Sequence, residues 1–228
     1  MQTTLRLALA AATAAALVAP ATAAAQACNG TASFAAGKMR FSGQAAFVDG
    51  ANTVGPNLAF GAQQGAFGNA SFDVIQVDQI DSNGMRLGVG GGWQLPLGEG
   101  SRGGASRVQV CPVAAFGYTS GPDVGPASIS GTDLSAGAML GAAVSLSPTV
   151  DLVPFGGLSL VRVSSRVELD GESVSGSDTG GLLNFGSGLA FSQRYTARLS
   201  VGLPLSLGSD DTTIGLGFGV NFGGAPRR

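Results

Sequence analysis

The chain has 228 residues with 38 glycines, 12 basic and 14 acidic side chains and no histidine. Only 11% of it is charged, against about 25% in an ordinary soluble domain, so a conventional water-facing surface is excluded and the balance of charge offers nothing to nucleic acid. The lack of histidine removes the commonest general base and metal ligand, and no G-x-S-x-G elbow, Walker loop or Cys/His metal spacing replaces it. No enzyme, metal or cofactor is expected.

The chain opens MQTTLRLALAAATAAALVAPATAAAQAC, with Arg6 ahead of an apolar run from Leu7 to Ala19 that Pro20 breaks. Ala21-Thr22-Ala23 and Ala25-Gln26-Ala27 then supply small-residue cleavage sites. This layout predicts a secretory signal peptide over 1–27, cut after Ala23 or Ala27. The run is shorter than the roughly 20 residues a helical span needs, which argues against a membrane anchor. Without Arg6 the basic count falls from 12 to 11 against 14 acidic.

Residues 28–38 are expected to form an N-terminal periplasmic segment, 39–222 the folded domain and 223–228 a tail. From Met39 onward no apolar stretch approaches a helical span, yet apolar residues recur at every second position. Met85, Leu87, Val89, Trp93 and Leu95 alternate with Arg86, Gly88, Gly90, Gly92 and Gln94; Leu134, Leu140, Val144 and Leu146 alternate with Gly, Ser and Met. Leu183, Phe185, Leu189 and Phe191 alternate with Asn184, Gly186, Gly188 and Ala190; Leu199, Val201, Leu203 and Leu205 with Arg198, Ser200, Gly202 and Pro204. The last run is Ile214, Leu216, Phe218, Val220 and Phe222, interleaved with Gly215, Gly217, Gly219 and Asn221.

Period-two alternation predicts strands with one apolar face, and disordered Gly-rich linkers lack it. A chain too poor in charge for water and too broken for helices fits a closed β-barrel in lipid, where every backbone group is paired around the ring. The predicted fold is therefore all-β: a single closed antiparallel transmembrane barrel of about ten strands, with eight as the alternative. A soluble secreted binding barrel with its apolar face inside is the competing architecture. It would leave a water-facing surface nearly without Lys or Glu.

Predicted connections alternate in length. Reading back from the end, they are 208–212, a short link at 192–196, a long polar one at 164–180, a short one at 146–152, a long one at 118–133 and a medium one at 95–107. Further links fall at 77–84, 63–68 and 48–57. Short turns on one side and longer loops on the other are the outer-membrane pattern. An even strand count returns both termini to the periplasm.

In this arrangement the chain resembles small bacterial outer-membrane barrels of the OmpA/OmpX type over about 39–222. The resemblance is carried by architecture and by the final strand IGLGFGVNF. It implies that Ile214, Leu216, Phe218, Val220 and Phe222 form the signal read by the barrel-assembly machinery. Two departures are visible: GGAPRR follows Phe222, and one Trp and two Tyr stand against twelve Phe, a thin aromatic girdle. A peptidoglycan-binding domain after the barrel, and with it a tether to the wall, is not expected.

Cys28 and Cys111 are the only cysteines. In an exported chain the expected state is a Cys28–Cys111 disulfide, since the topology puts both at the periplasmic end. Lipidation of Cys28 competes, though Ala25 and Gln26 fit that signal poorly; free thiols are the third reading. The acidic stretches Asp78–Asp81, Asp170–Glu172 and Asp210–Asp211 read as solvated loops. Arg86, Gln94, Asn184 and Arg198 are the polar candidates for the lumen, either as an ion-paired filling or as an anion-preferring path.

The function expected is a non-enzymatic outer-membrane protein, structural or surface-interacting through its long loops. A narrow pore for small or apolar solutes is the alternative. Outer-membrane lipid, the assembly machinery and an extracellular ligand at the loops are the partners this implies.

Overall fold

A computed structural model describes residues 27–31, 38–62, 65–78, 80–97, 107–122, 127–169, 172–192, 194–206 and 211–223. The expected signal peptide before Ala27 and the tail after Gly223 lie outside them, as do most of 95–107 and the tips of several links. A one-turn 3-10 helix, η1 (Ala27–Asn29), precedes the strands β1 (Met39–Val48), β2 (Ala51–Gly61), β3 (Ala66–Val77), β4 (Gly84–Trp93), β5 (Leu95–Pro96), β6 (Arg107–Ser120), β7 (Ala127–Ser147), β8 (Val150–Leu169), β9 (Glu172–Phe191), β10 (Tyr195–Leu205) and β11 (Thr213–Phe222).

Neighbours in sequence pair antiparallel, and β4 and its short continuation β5 both bond to β6. Strand β11 returns to β1, in register from Met39↔Phe222 to Phe47↔Ile214. The sheet is thus a closed barrel of ten staves. Closure pairs each strand with a neighbour on either side around the ring, the condition for strands in hydrocarbon. Among the described residues no helix is long and apolar enough to cross a membrane.

The alternation reads out on the two faces of the wall. On β11, Ile214, Leu216, Phe218 and Phe222 are exposed and Val220 is half-buried, while Thr213, Gly215 and Gly219 are buried on the lumen side. The same outward set runs around the ring through Phe41, Leu58, Phe72, Leu87, Phe116, Leu134, Leu158 and Phe185. Inward positions carry Arg40, Asn57, Asn69, Asp73, Arg86, Asp133, Ser159 and Ser200, all buried. An apolar outer face around an interior that mixes these polar side chains with buried Phe67, Ile75 and Phe155 is the reverse of a soluble barrel, and matches a wall immersed in lipid.

Three expected links are shorter than the sequence suggests. The stretch 48–57 is not a loop: β1 and β2 meet across Asp49 and Gly50, where Gly50 takes φ 74°. A tight hairpin needs that left-handed backbone, which glycine adopts without a Cβ clash. Strand β2 then runs straight through Pro56, which pairs with Gly43 on β1, while its ladder on β3 is interrupted between Val54↔Val74 and Asn57↔Ser71 and resumes in the same register. Proline has no N–H to give to β3 there.

The stretches expected as long loops at 118–133 and 164–180 are mostly strand. Strands β6 and β7 reach Ser120 and Ala127, and β8 and β9 pair all the way to Leu169↔Glu172. Among the described residues strand β10 accompanies β9 up to Leu205↔Gly181. About nine residues of β9, roughly 30 Å at 3.3 Å per residue, therefore rise above their neighbour with β8 on one side.

Candidate functional site

The lumen is the one interior the fold creates, and it is filled in two layers. We call the end where Met39 meets Phe222 the terminal end, and the opposite one the distal end.

Toward the distal end an ion-paired network crosses the barrel. Arg86 on β4 grips Asp133 on β7: Nη2 donates to both Asp133 carboxylate oxygens at 2.9 Å, and Nε to Oδ1 at 3.3 Å. Its Nη1 stands 4.0 Å from Asp73 Oδ2 on β3, and Gln44 Nε2 on β1 donates to Asp73 Oδ1 at 2.9 Å. The side chains of Arg86, Asp73 and Asp133 are 5%, 6% and 8% exposed. Four staves are thus cross-braced by charge-assisted bonds, the strong class. Strand β6 passes beneath the pair at Gly117, where a Cβ would collide with both Asp133 and the Arg86 guanidinium. Glycine is there because the ion pair occupies the space.

At the terminal end the filling comes from outside the wall. Helix η1 packs on β6, β7 and β8, and Cys28 is bonded to Cys111 on β6 with both residues fully buried. Phe67, Val113, Met139 and Phe155 form an apolar cluster around the bridge. The inserted backbone lies so close to the wall that the Ala27 carbonyl occupies the place of a Gly141 Cβ, and the Gly30 carbonyl that of a Gly188 Cβ. Gly30 itself has φ 71° beneath the Phe155 ring. Beside this plug, Thr31, Arg40, Asn57, Thr196 and Arg198 line a cavity of about 30 Å³, room for about two waters.

The sequence candidates fall in different places. Arg86 is the centre of the distal network. Arg198, between Gly188 and Gly217, borders the small cavity at the plug. Asn184 faces inward between Gly157 and Gly202, its Oδ1 buried and accepting no hydrogen bond from the protein. Gln94 is not in the lumen's middle: it breaks the ladder between β4 and β5 at the terminal end, where its N–H donates to the Gly65 carbonyl at 2.9 Å. The residues that sequence reasoning passed over are Arg40, Gln44, Asp73 and Asp133. Arg40 and Gln44 share the inward parity of RFSGQAAF, which was the available signal. Asp133 sat in a stretch read as loop. Among the described residues no cluster of His, Cys, Asp and Glu could hold a metal ion.

No family model and no curated protein matches the chain. Solved structures of similar fold include the N-terminal β-barrel domain of Pseudomonas aeruginosa OprF, at 14% identity over 82% of this chain and 98% of that one, TM-score 0.40. Ail, the attachment invasion locus protein of Yersinia pestis, shares 17% over 82% and 99%, TM-score 0.39. The translocator domain of the autotransporter NalP from Neisseria meningitidis shares 14% over 81% and 87%, TM-score 0.45. The chain's own closed ladder, apolar exterior and ion-paired interior make it a small closed β-barrel with a lipid-facing wall.

Proposed function

We propose that this is a non-enzymatic outer-membrane barrel whose lumen is closed and whose work is done at the cell surface by the projecting β7–β8–β9 wall. The terminal end then faces the periplasm and the distal end the exterior. The observation that carries this reading is the contrast between the two ends. One is sealed by η1 and the Cys28–Cys111 bridge, and the other extends ordered strand far beyond the rim. Among the described residues, 172–180 of β9 bond to β8 alone, so this stretch offers an edge to which an extended segment of an extracellular ligand can add as a strand. Insertion of the final strand by the assembly machinery belongs to the same proposal.

The test places an epitope between Leu169 and Glu172 and probes intact cells with antibody. The same protein, refolded, is added to planar bilayers. Surface labelling together with electrical silence is expected. Discrete conductance steps from the disulfide-bonded protein would replace this reading with the narrow pore, and labelling only after the envelope is broken would invert the topology.

A further inference from the structure

The outward stripe of β8 changes character within one step. Leu158 and Leu160 are 53% and 68% exposed, as lipid-facing side chains should be. The next outward positions are Arg162, Ser164, Arg166 and Glu168, still in unbroken strand. The neighbouring strands change at the same level. Arg162 lies across from Leu134 on β7 and Thr179 on β9, while Ser164 faces Thr132 and Ser177, and Arg166 faces Ser130 and Ser175. Phe116 gives way to Tyr118 on β6.

Where the grease ends, the wall therefore carries two guanidinium groups set among hydroxyls, around an open recess of about 390 Å³ lined by Tyr118, Arg162, Ser164, Arg166, Ser175 and Ser177. Glu168 stands 3.8 Å from Arg166, with both more than half exposed; such a surface pair is weak enough to yield to a stronger anion.

We propose that this recess binds the phosphate-bearing headgroup of a membrane lipid whose acyl chains lie against Leu158 and Leu160. The position selects the occupant. An anion held here is continuous with the apolar belt below it, so a phosphate attached to acyl chains gains from both contacts and a free phosphate from one. Arginine matches phosphate geometry through paired N–H donors, and serine hydroxyls can donate to the remaining oxygens. Two arginines at alternate outward positions, with Ser164 between them, span the width of a headgroup.

The inference goes beyond surface display and rests on that reading only for which leaflet supplies the lipid, so the test uses a bilayer with both leaflets alike. The disulfide-bonded protein is refolded into phosphatidylcholine nanodiscs containing a minor fraction of bisphosphorylated lipid A, or the same lipid with its phosphates removed. It is then extracted in mild detergent and weighed by native mass spectrometry. The wild type is expected to retain the phosphorylated lipid and to lose the dephosphorylated one. Arg162→Gln with Arg166→Gln should lower retention about 30-fold, each basic group near an anionic surface contributing about fivefold. The single variant R162Q, at about fivefold, decides the matter if the double variant does not give the folded band on an unboiled gel. Equal retention by folded variants, or equal retention of the dephosphorylated lipid, overturns the proposal. Displacement of the lipid by 10 mM inorganic phosphate would reassign the recess to a free anion and overturn it as well.

Discussion

Replacing Arg86 by methionine removes the single cation that holds Asp133 and faces Asp73, leaving two carboxylates inside the barrel. The lost attraction is large before compensation: at an effective dielectric of about 20, a contact of 2.9 Å is worth about 6 kcal/mol and one of 4.0 Å about 4 kcal/mol. Much of that already offsets the desolvation of three ions. The net destabilisation expected on removing one partner is about 3–5 kcal/mol. Asp133→Asn is milder, about 1.5–3 kcal/mol, because it removes a charge-assisted bond but leaves Arg86 facing Asp73. The double variant R86M/D133N strands only one carboxylate, which keeps its bond from Gln44. It should be less damaged than the sum of the singles by at least about 2 kcal/mol, the coupling of residues in direct contact. The assay is urea unfolding of the protein refolded into phosphatidylcholine vesicles, read as the fraction of folded band on unboiled gels. If R86M unfolds within about 1 kcal/mol of the wild type, or the singles add within about 0.5 kcal/mol, the network is a wetted set of charges and not a brace.

Cys28→Ser tests the plug. The bridge closes a loop of 83 residues in sequence, and chain entropy assigns such a closure roughly 4.5 kcal/mol. The variant, or the wild type under reductant, should lose up to that much against urea and show intermittent conductance in planar bilayers as the N-terminal segment leaves the lumen; an unchanged silent baseline would mean that the distal network closes the barrel without it. Phe222→Ser tests the last strand. Phe222 is 52% exposed and pairs with Met39 at the closing seam, so refolding into vesicles should be nearly unaffected, while accumulation in the outer membrane of cells falls several-fold. An equal loss in both settings would assign Phe222 to barrel stability and not to recognition by the assembly machinery.

Why the sequence yields the barrel but overstates its loops follows from what the alternation measures. Along β8, Leu158 and Leu160 face out, with Ser159 buried on the inner side. Above them the parity reverses: Arg162, Ser164 and Arg166 face out, while Val161, Val163 and Val167 are buried. The strand does not break between the two patterns; only its surroundings change. A reading tuned to greasy outward positions loses its signal at Arg162 and reports a polar loop, although the valines keep period two in the other register. The inner face shows the same limit. Arg86 stands out because it interrupts a glycine series; Asp73 is its direct partner across the β3–β4 pair, but Asp133 reaches it only through the register across β6 and the space left by Gly117, which no local spacing encodes. Alternation in this chain is a record of lipid contact, not of strand. The point where its parity inverts marks the membrane boundary, and that is also where the arginines of the proposed headgroup site are found.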